Sequence, residues 1–178
     1  MTAEKKKISL TEVTFRPLAI DAIPALLEVQ EETFAHAAGQ KDFLRRNTEE
    51  TFSLCFGEGS LVLGAFYRDE MIAFGILHAA GDTKENLALD LEFVKDVTEN
   101  ANVKLIIVRP ASRGNGLQRA FIERMIDYAR ERGFRYLSST VSPTNPWSKN
   151  NLEACGFSPV KILKKYGGME RILLAREI

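Results

Sequence analysis

The spacing of hydrophobic positions changes period several times along this chain, and each change marks an element. Residues 13–17 read as a short opening strand. Ile23, Leu26, Leu27, Gln30 and Phe34 then recur near helical spacing. They predict a helix over about residues 22–38, capped by Asp21 and stopped by Gly39. Asn47 followed by Glu50 predicts the start of a second helix through Phe56, before Gly57 and Gly59 break the chain. Residues 60–67 and 71–79 are β-like and joined by Arg68-Asp69-Glu70, the pattern of a hairpin. Residues 82–102 are the least periodic stretch, with a strand expected near 87–93.

The second half is more regular. Residues 103–108 form an apolar run, the mark of a central strand buried on both faces. Leu117, Ala120, Phe121, Met125, Tyr128 and Ala129 share one side of a helix over 117–132, which Gly133 ends. Residues 136–141 return as a strand, and strand–helix–strand order predicts a parallel pair with a right-handed crossover. Asn145-Pro146 starts a short helix that runs to Cys155 and stops at Gly156. Strands over 160–166 and 169–178 flank Gly167-Gly168, a two-residue hairpin turn. No internal repeat or linker interrupts the chain, so one domain over residues 1–178 is expected, with residues 1–9 a disordered tail.

Between the central strand and the long helix lies Arg109-Pro110-Ala111-Ser112-Arg113-Gly114-Asn115-Gly116-Leu117-Gln118. Strand, glycine loop and helix start in this order aim several backbone N–H groups and a helix dipole at one point. Such a point binds phosphate. A Walker loop is absent, because no Gly-Lys-Ser/Thr ending exists. A dinucleotide fingerprint fails at Arg119, which stands where its third glycine belongs.

Composition narrows the partners. The chain has 178 residues, 45% hydrophobic and 27% charged, which suits one soluble α/β domain with a sizeable core. Lys and Arg number 24 and so do Asp and Glu, so no global field draws in nucleic acid or an anionic membrane. No apolar run has membrane-spanning or signal-peptide length. Cys55 and Cys155 lack CxxC spacing, and His36 and His78 lack ligand partners, so no metal is expected. This points to a reducing cytoplasm.

Val108-x-Pro110, Arg113-Gly114-x-Gly116, Asn145, Asn151 and Gly156-Phe157, in this order and spacing, resemble the GNAT (GCN5-related N-acetyltransferase) superfamily. The resemblance is strongest over residues 103–157 and follows the whole chain in element order. It implies a mixed, twisted, centrally splayed sheet flanked by helices. It also implies transfer of an acetyl group from acetyl-CoA, as co-substrate, to a primary amine other than an aminoacyl group. By this resemblance the N–H groups of Arg113, Gly114, Asn115, Gly116, Leu117 and Gln118 cradle the pyrophosphate. Ile106 and Val108 pair with the pantetheine arm, and the Val108 N–H is the oxyanion donor. Gln118 departs from the family's Gly or Ala. Asn145 is a helix cap or a ligand contact, Asn151 a contact of the cofactor arm, and Ser148 a helper or a solvated serine.

Catalytic residues are less defined. The family's acid is often a tyrosine four residues before the glycine of Gly156-Phe157, and Leu152 stands there. Tyr166 on the last hairpin is the substitute acid, or a strand residue. Asp90 and Glu92 are candidate bases on the expected strand near 87–93, or solvated carboxylates; a water chain is the third option. His78 ends an apolar run within reach of the cleft. Trp147 packs or lines the acceptor pocket, and Cys155 is a buried residue. The acceptor is a small-molecule or peptide amine, and a homodimer is compatible with the resemblance. A longer acyl group, or a non-catalytic CoA-binding sensor or partner module, is the alternative reading.

Overall fold

The computed structural model describes residues 5–36 and 43–178. Seven strands form one sheet in the order β1-β2-β3-β4-β5-β7-β6. They are β1 (Thr14–Pro17), β2 (Leu61–Tyr67), β3 (Glu70–His78), β4 (Asn100–Val108), β5 (Tyr136–Val141), β6 (Ser158–Lys165) and β7 (Met169–Glu177). Every neighbouring pair is antiparallel except β4 and β5, which are parallel as their crossover helix requires. Helices α1 (Ile23–Ala35) and α2 (Glu49–Ser53) cover one face. Helices α3 (Leu117–Glu131) and α4 (Pro146–Ala154) cover the other. The mixed, twisted α/β sheet that the sequence implies is therefore the architecture of the chain.

Close packing fixes α3 against the sheet. A Cβ on Gly75 of β3 would lie 2.6 Å from Met125 Cε and 2.8 Å from a Phe121 ring atom, so only glycine lets the helix sit this deep. Leu117, Phe121, Ile122 and Met125 of α3 are fully or almost fully buried there. On the opposite face Leu26 and Val29 of α1 meet Phe52, Phe74 and Ile107. Arg109 ties α1 to the end of β4: it donates to the Met71 carbonyl at 2.7 Å and pairs with Glu28 and Glu32.

Five expectations about elements are corrected. Asp21 does not cap α1; it lies in a 3-10 turn, Ile20–Ala22, that runs straight into the helix. The expected helix end at 38 and the Gly39 stop lie outside the described residues. Thr48, not Asn47, caps α2, in a box completed by Thr51. Asn47 is taken by Gln30, which accepts from its N–H at 2.8 Å and donates to its carbonyl at 2.9 Å, joining α1 to the approach of α2. The strand expected near 87–93 is absent; Leu87–Asp90 is a 3-10 turn. Its cause is local, because the Asn86 side chain accepts from the Ala88 N–H and bends the backbone away from a ladder. The last hairpin turns through three residues, Tyr166, Gly167 and Gly168, all at positive φ. Finally, the expected tail is docked from Lys6 onward: Lys6 N–H donates to Ala111 O, Ile8 N–H donates to Asn115 Oδ1, and Ile8 is buried.

β4 begins three residues earlier than its apolar run, because Asn100 and Asn102 are buried in the strand. Asn100 Nδ2 faces Asn86 Oδ1, Asn102 Oδ1 and Ser138 Oγ at 2.9–3.0 Å. Asn102 Oδ1 also accepts from Ser138 Oγ and from Leu87 N–H, at 3.1 and 3.2 Å. Truncating Asn102 would strand buried donors, each costing about 1–3 kcal/mol. Asn102→Ala should therefore lower the unfolding free energy by about 2–4 kcal/mol in urea denaturation. A loss below about 0.5 kcal/mol would show that water replaces the network at no cost.

Candidate active site

β4 and β5 pair only through Asn100–Tyr136, Ala101–Leu137 and Asn102–Ser138. Beyond Asn102 the strands part. Lys104 is the extra residue of a bulge, since Leu105 faces Ile76 and Val103 faces Leu77. Just past the last pair, Ser139 Oγ donates to Val103 O at 2.9 Å and satisfies the carbonyl that β5 no longer reaches. Further along, Arg109 N–H is spent on Ile72 O of β3. N–H groups alternate sides along a strand, so those of Val108 and Ile106 face the gap. A cavity of 790 Å³ runs through this gap.

One end of the cavity is the glycine loop. Pro110–Ser112 form a 3-10 turn, and Gly114 and Gly116 stand at φ +86° and +76°. Nothing lies within 4 Å of where a Cβ on Gly114 would sit. Gly116 is the N-cap of α3 and offers no side chain, so the first-turn N–H groups stay available at the positive end of a 15-residue helix. Arg113 Nε reaches Val108 O at 3.4 Å, and Lys5 lines the same end. Asn115 is turned the other way: Nδ2 donates to Lys6 O and Ser112 O, both at 2.9 Å, so its side chain holds the N-terminal segment.

Gln118 does not cross the loop. Its Nε2 donates to Ser148 Oγ at 2.8 Å and its Oε1 accepts from Asn151 Nδ2 at 2.9 Å. The residue that departs from the family pattern thus joins the start of α3 to α4. Asn145 caps α4 through the Ser148 N–H at 3.1 Å. All four side chains line the cavity, as does Trp147, which is 65% exposed and not packed in the core.

The other end is chemically different. Its walls come from the end of α1, the approach to α2, the first half of β4 and the last hairpin. Tyr166 lies there, its hydroxyl 3.1 Å from Thr140 Oγ1 on the parted stretch of β5. His78 lies there too, with Ser60 Oγ 3.4 Å from Nδ1. Burial, and then the charge of Lys104, hold its imidazole below the ordinary histidine range, so it is neutral at neutral pH. Thr33 is 2% exposed and its Oγ1 has no partner among the described residues, yet it borders the cavity.

The candidate residues divide accordingly. Ile106, Val108, Arg113, Gly114, Gly116, Leu117, Gln118, Asn145, Asn151 and Tyr166 border one cavity. Asp90 and Glu92 do not. Asp90 is paired with Lys165 at 2.5 Å, and Glu92 is exposed on the loop after the 3-10 turn. Leu152 is 2% exposed, within the core under α4. Thr33, Arg45, Glu85, Lys104 and Arg171 were not anticipated. Lys104, a cation inside an apolar run, was the one visible signal. Burial pushes the thiols of Cys55 and Cys155 up, so both stay protonated, and neither borders the cavity.

Comparison with known proteins accords with this geometry. No curated protein sequence matches the chain. Among solved structures, a GCN5-related N-acetyltransferase from Kribbella flavida superposes with TM-score 0.73 at 19% identity, covering 96% of this chain and all (100%) of that one. The ribosomal-protein-S18-alanine N-acetyltransferase from Escherichia coli gives 0.70 at 24% identity, over 93% and 94% of the two chains. YncA from Salmonella typhimurium, solved with its cofactor acetyl-CoA, gives 0.67 at 16% identity, over 93% and 94%. At these identities the likeness is one of fold. The sequence model of the acetyltransferase (GNAT) family matches residues 23–157. The chain belongs to the acetyltransferase (GNAT) family.

Proposed function

We propose that this protein transfers an acetyl group from acetyl-CoA to a primary amine of a small-molecule or peptide acceptor, other than an aminoacyl group, by direct attack. One observation carries the reading: a single cavity joins a phosphate-type loop, a gap with unpaired strand N–H groups, and a chamber holding a neutral imidazole and a phenol. Acetyl-CoA supplies the acyl group in activated form, as a thioester. Residues 113–118 and Lys5 hold its phosphates, through backbone N–H groups and two cations. Ile106 and Val108 align its arm as an added strand, with Gln118, Asn145 and Asn151 fixing the α4 side.

The Val108 N–H then points at the acetyl carbonyl oxygen and stabilises the charge that develops there. The amine nitrogen bonds to the carbonyl carbon as the carbon–sulfur bond breaks. His78 takes the proton that the amine releases, and Tyr166 protonates the departing thiolate. Neither buried thiol takes part, which favours direct transfer over an acyl-enzyme. The two buried, unpaired cysteines also fit a reducing compartment, the cytoplasm. A second reading, a non-catalytic CoA-binding module, draws on Leu152, whose burial in the core removes the hydroxyl that the family often places there.

Two results test the reading. A Cβ at Gly114 would have no other atom within 4 Å, so a side chain there starts out from the loop into open space. Gly114→Trp should weaken acetyl-CoA at least 100-fold by calorimetry, about 2.7 kcal/mol, while the left-handed backbone costs the fold only about 1–2 kcal/mol. Unchanged affinity would remove the phosphate role from this loop. The lowered imidazole of His78 predicts that kcat/KM falls with acid only below the ordinary histidine value, as the base becomes protonated. His78→Gln should erase that acid limb and lower kcat at least tenfold, with acetyl-CoA affinity held within about twofold. An unaltered pH profile would acquit His78.

A further inference from the structure

Lys5, Lys6 and Lys7 follow one another near the start of the chain, and the fold treats each differently. Lys6 reaches Glu70 at 3.8 Å. Lys7 lines a hollow beside Tyr67 and Arg68. Lys5 alone of the three borders the large cavity, where Ser112, Arg113, Gly114 and Gly116 form the phosphate end. Its place follows from its neighbour, since Lys6 N–H is bonded to Ala111 O in the turn that opens the loop.

Residues 6–10 lie across the side of the glycine loop that faces away from the cavity. Lys6 N–H donates to Ala111 O at 2.7 Å, and Ile8 N–H donates to Asn115 Oδ1 at 3.0 Å. Asn115 Nδ2 donates back to Lys6 O at 2.9 Å. One side chain thus satisfies a donor and an acceptor of the segment, as a partner strand would. Its third bond, to Ser112 O at 2.9 Å, ties the same amide to the turn before the loop. Ile8 is 5% exposed in the core beneath, and a Leu10 methyl group lies 3.6 Å from where a Cβ of Gly116 would stand. Val13 is buried as well, and β1 begins at Thr14. The segment is therefore anchored along its length, and Lys5 adjoins its first anchor. An ammonium held this way loses little further freedom on meeting an anion, whereas one on a loose tail loses much. Residues 5–10 precede the span, 23–157, that the family model matches, so no family motif accounts for them.

Resting on the acetyltransferase reading above, we infer that residues 5–8 are a functional part of the donor site and that Asn115 is the positioning residue that sets them there. The Asn115 side chain acts through the segment: it holds residues 6–8 against the loop so that the Lys5 ammonium meets a donor phosphate. Coenzyme A offers that charge twice, in its pyrophosphate and in its ribose phosphate, and an ammonium serves either as a point charge. The N–H groups of the loop give direction to the phosphate contact, and Lys5 adds the net charge that they lack. Lys5 is exposed, so salt screens its contribution.

The test is calorimetry on the full chain with coenzyme A and with dephospho-coenzyme A, which lacks the ribose phosphate, at about 0.02 M and about 0.5 M salt. Lys5→Ala should weaken coenzyme A about fivefold at low salt and less than about twofold at high salt, and Lys5→Arg should restore most of the loss. An equal loss on both ligands assigns Lys5 to the pyrophosphate, and a loss on coenzyme A alone assigns it to the ribose phosphate. Asn115→Ala should weaken coenzyme A to a similar extent, yet by less than about 1.5-fold once Lys5 is alanine, because both changes remove one contact. An Asn115 that only shapes the loop would weaken binding equally in either background. Amide exchange gives a second readout: in Asn115→Ala the Lys6 and Ile8 amides should exchange faster while those of residues 121–126 hold their rates. Unchanged affinity in Lys5→Ala, or the same Asn115→Ala loss in both backgrounds, would overturn the inference and leave the acetyltransferase reading standing. No binding of coenzyme A by the unaltered chain would overturn both.

Discussion

Everything in this molecule's chemistry depends on two parallel strands that stop pairing. β4 and β5 share three residue pairs, and past Asn102 their backbones separate. An unpaired strand edge inside a domain is costly, because each buried N–H and C=O seeks a partner. The structure manages the cost residue by residue. Ser139 takes the first orphaned carbonyl, Arg113 approaches the Val108 carbonyl, and the Ile106 and Val108 N–H groups remain directed at the gap. A ligand with alternating amides fits that edge as a missing strand would.

The rest of the fold keeps the gap open and gives its two ends different characters. Below the point of parting, Asn86, Asn100, Asn102 and Ser138 form a buried network that holds β4, β5 and the preceding loop in one arrangement. On one face Gly75 lets α3 sit close to the sheet, which brings the glycine loop to one mouth of the gap. Gln118 then fastens α3 to Ser148 and Asn151, so the loop and α4 are set together. On the other face Arg109 fixes α1 to the end of β4, and the Gln30–Asn47 pair fixes the approach to α2. The wall around the acceptor end is thus anchored at both of its ends.

Much of the donor side was legible in the sequence, because it is built from local signals. The glycine positions, the Asn145-Pro146 start and the 3.6-residue period of α3 each carry their own cause. The acceptor side was legible only in part, because tertiary contacts decide it. The alternation of Leu87, Leu89 and Leu91 suggested a strand, but the Asn86 cap turned it into a 3-10 turn and left Leu89 at 55% exposure. That one change removed Asp90 and Glu92 from the cavity. Asn100 and Asn102 fall in the least periodic stretch of the sequence, yet they lie in a central strand, since the Asn100 amide nitrogen and the Asn102 amide oxygen bond to each other and to Asn86, Ser138 and Leu87. The irregular Gln118 gained a meaning only when Asn151 and Ser148 came within reach of it.

The central claim is that the parted edge of β4 receives a ligand as a strand. Amide hydrogen exchange, resolved by residue with and without coenzyme A, tests it most directly. The account predicts slower exchange at Ile106, Val108 and residues 113–119 in the presence of coenzyme A, with the β6–β7 hairpin unchanged. Protection confined to the loop, with Ile106 and Val108 exchanging at the same rate as before, would contradict it.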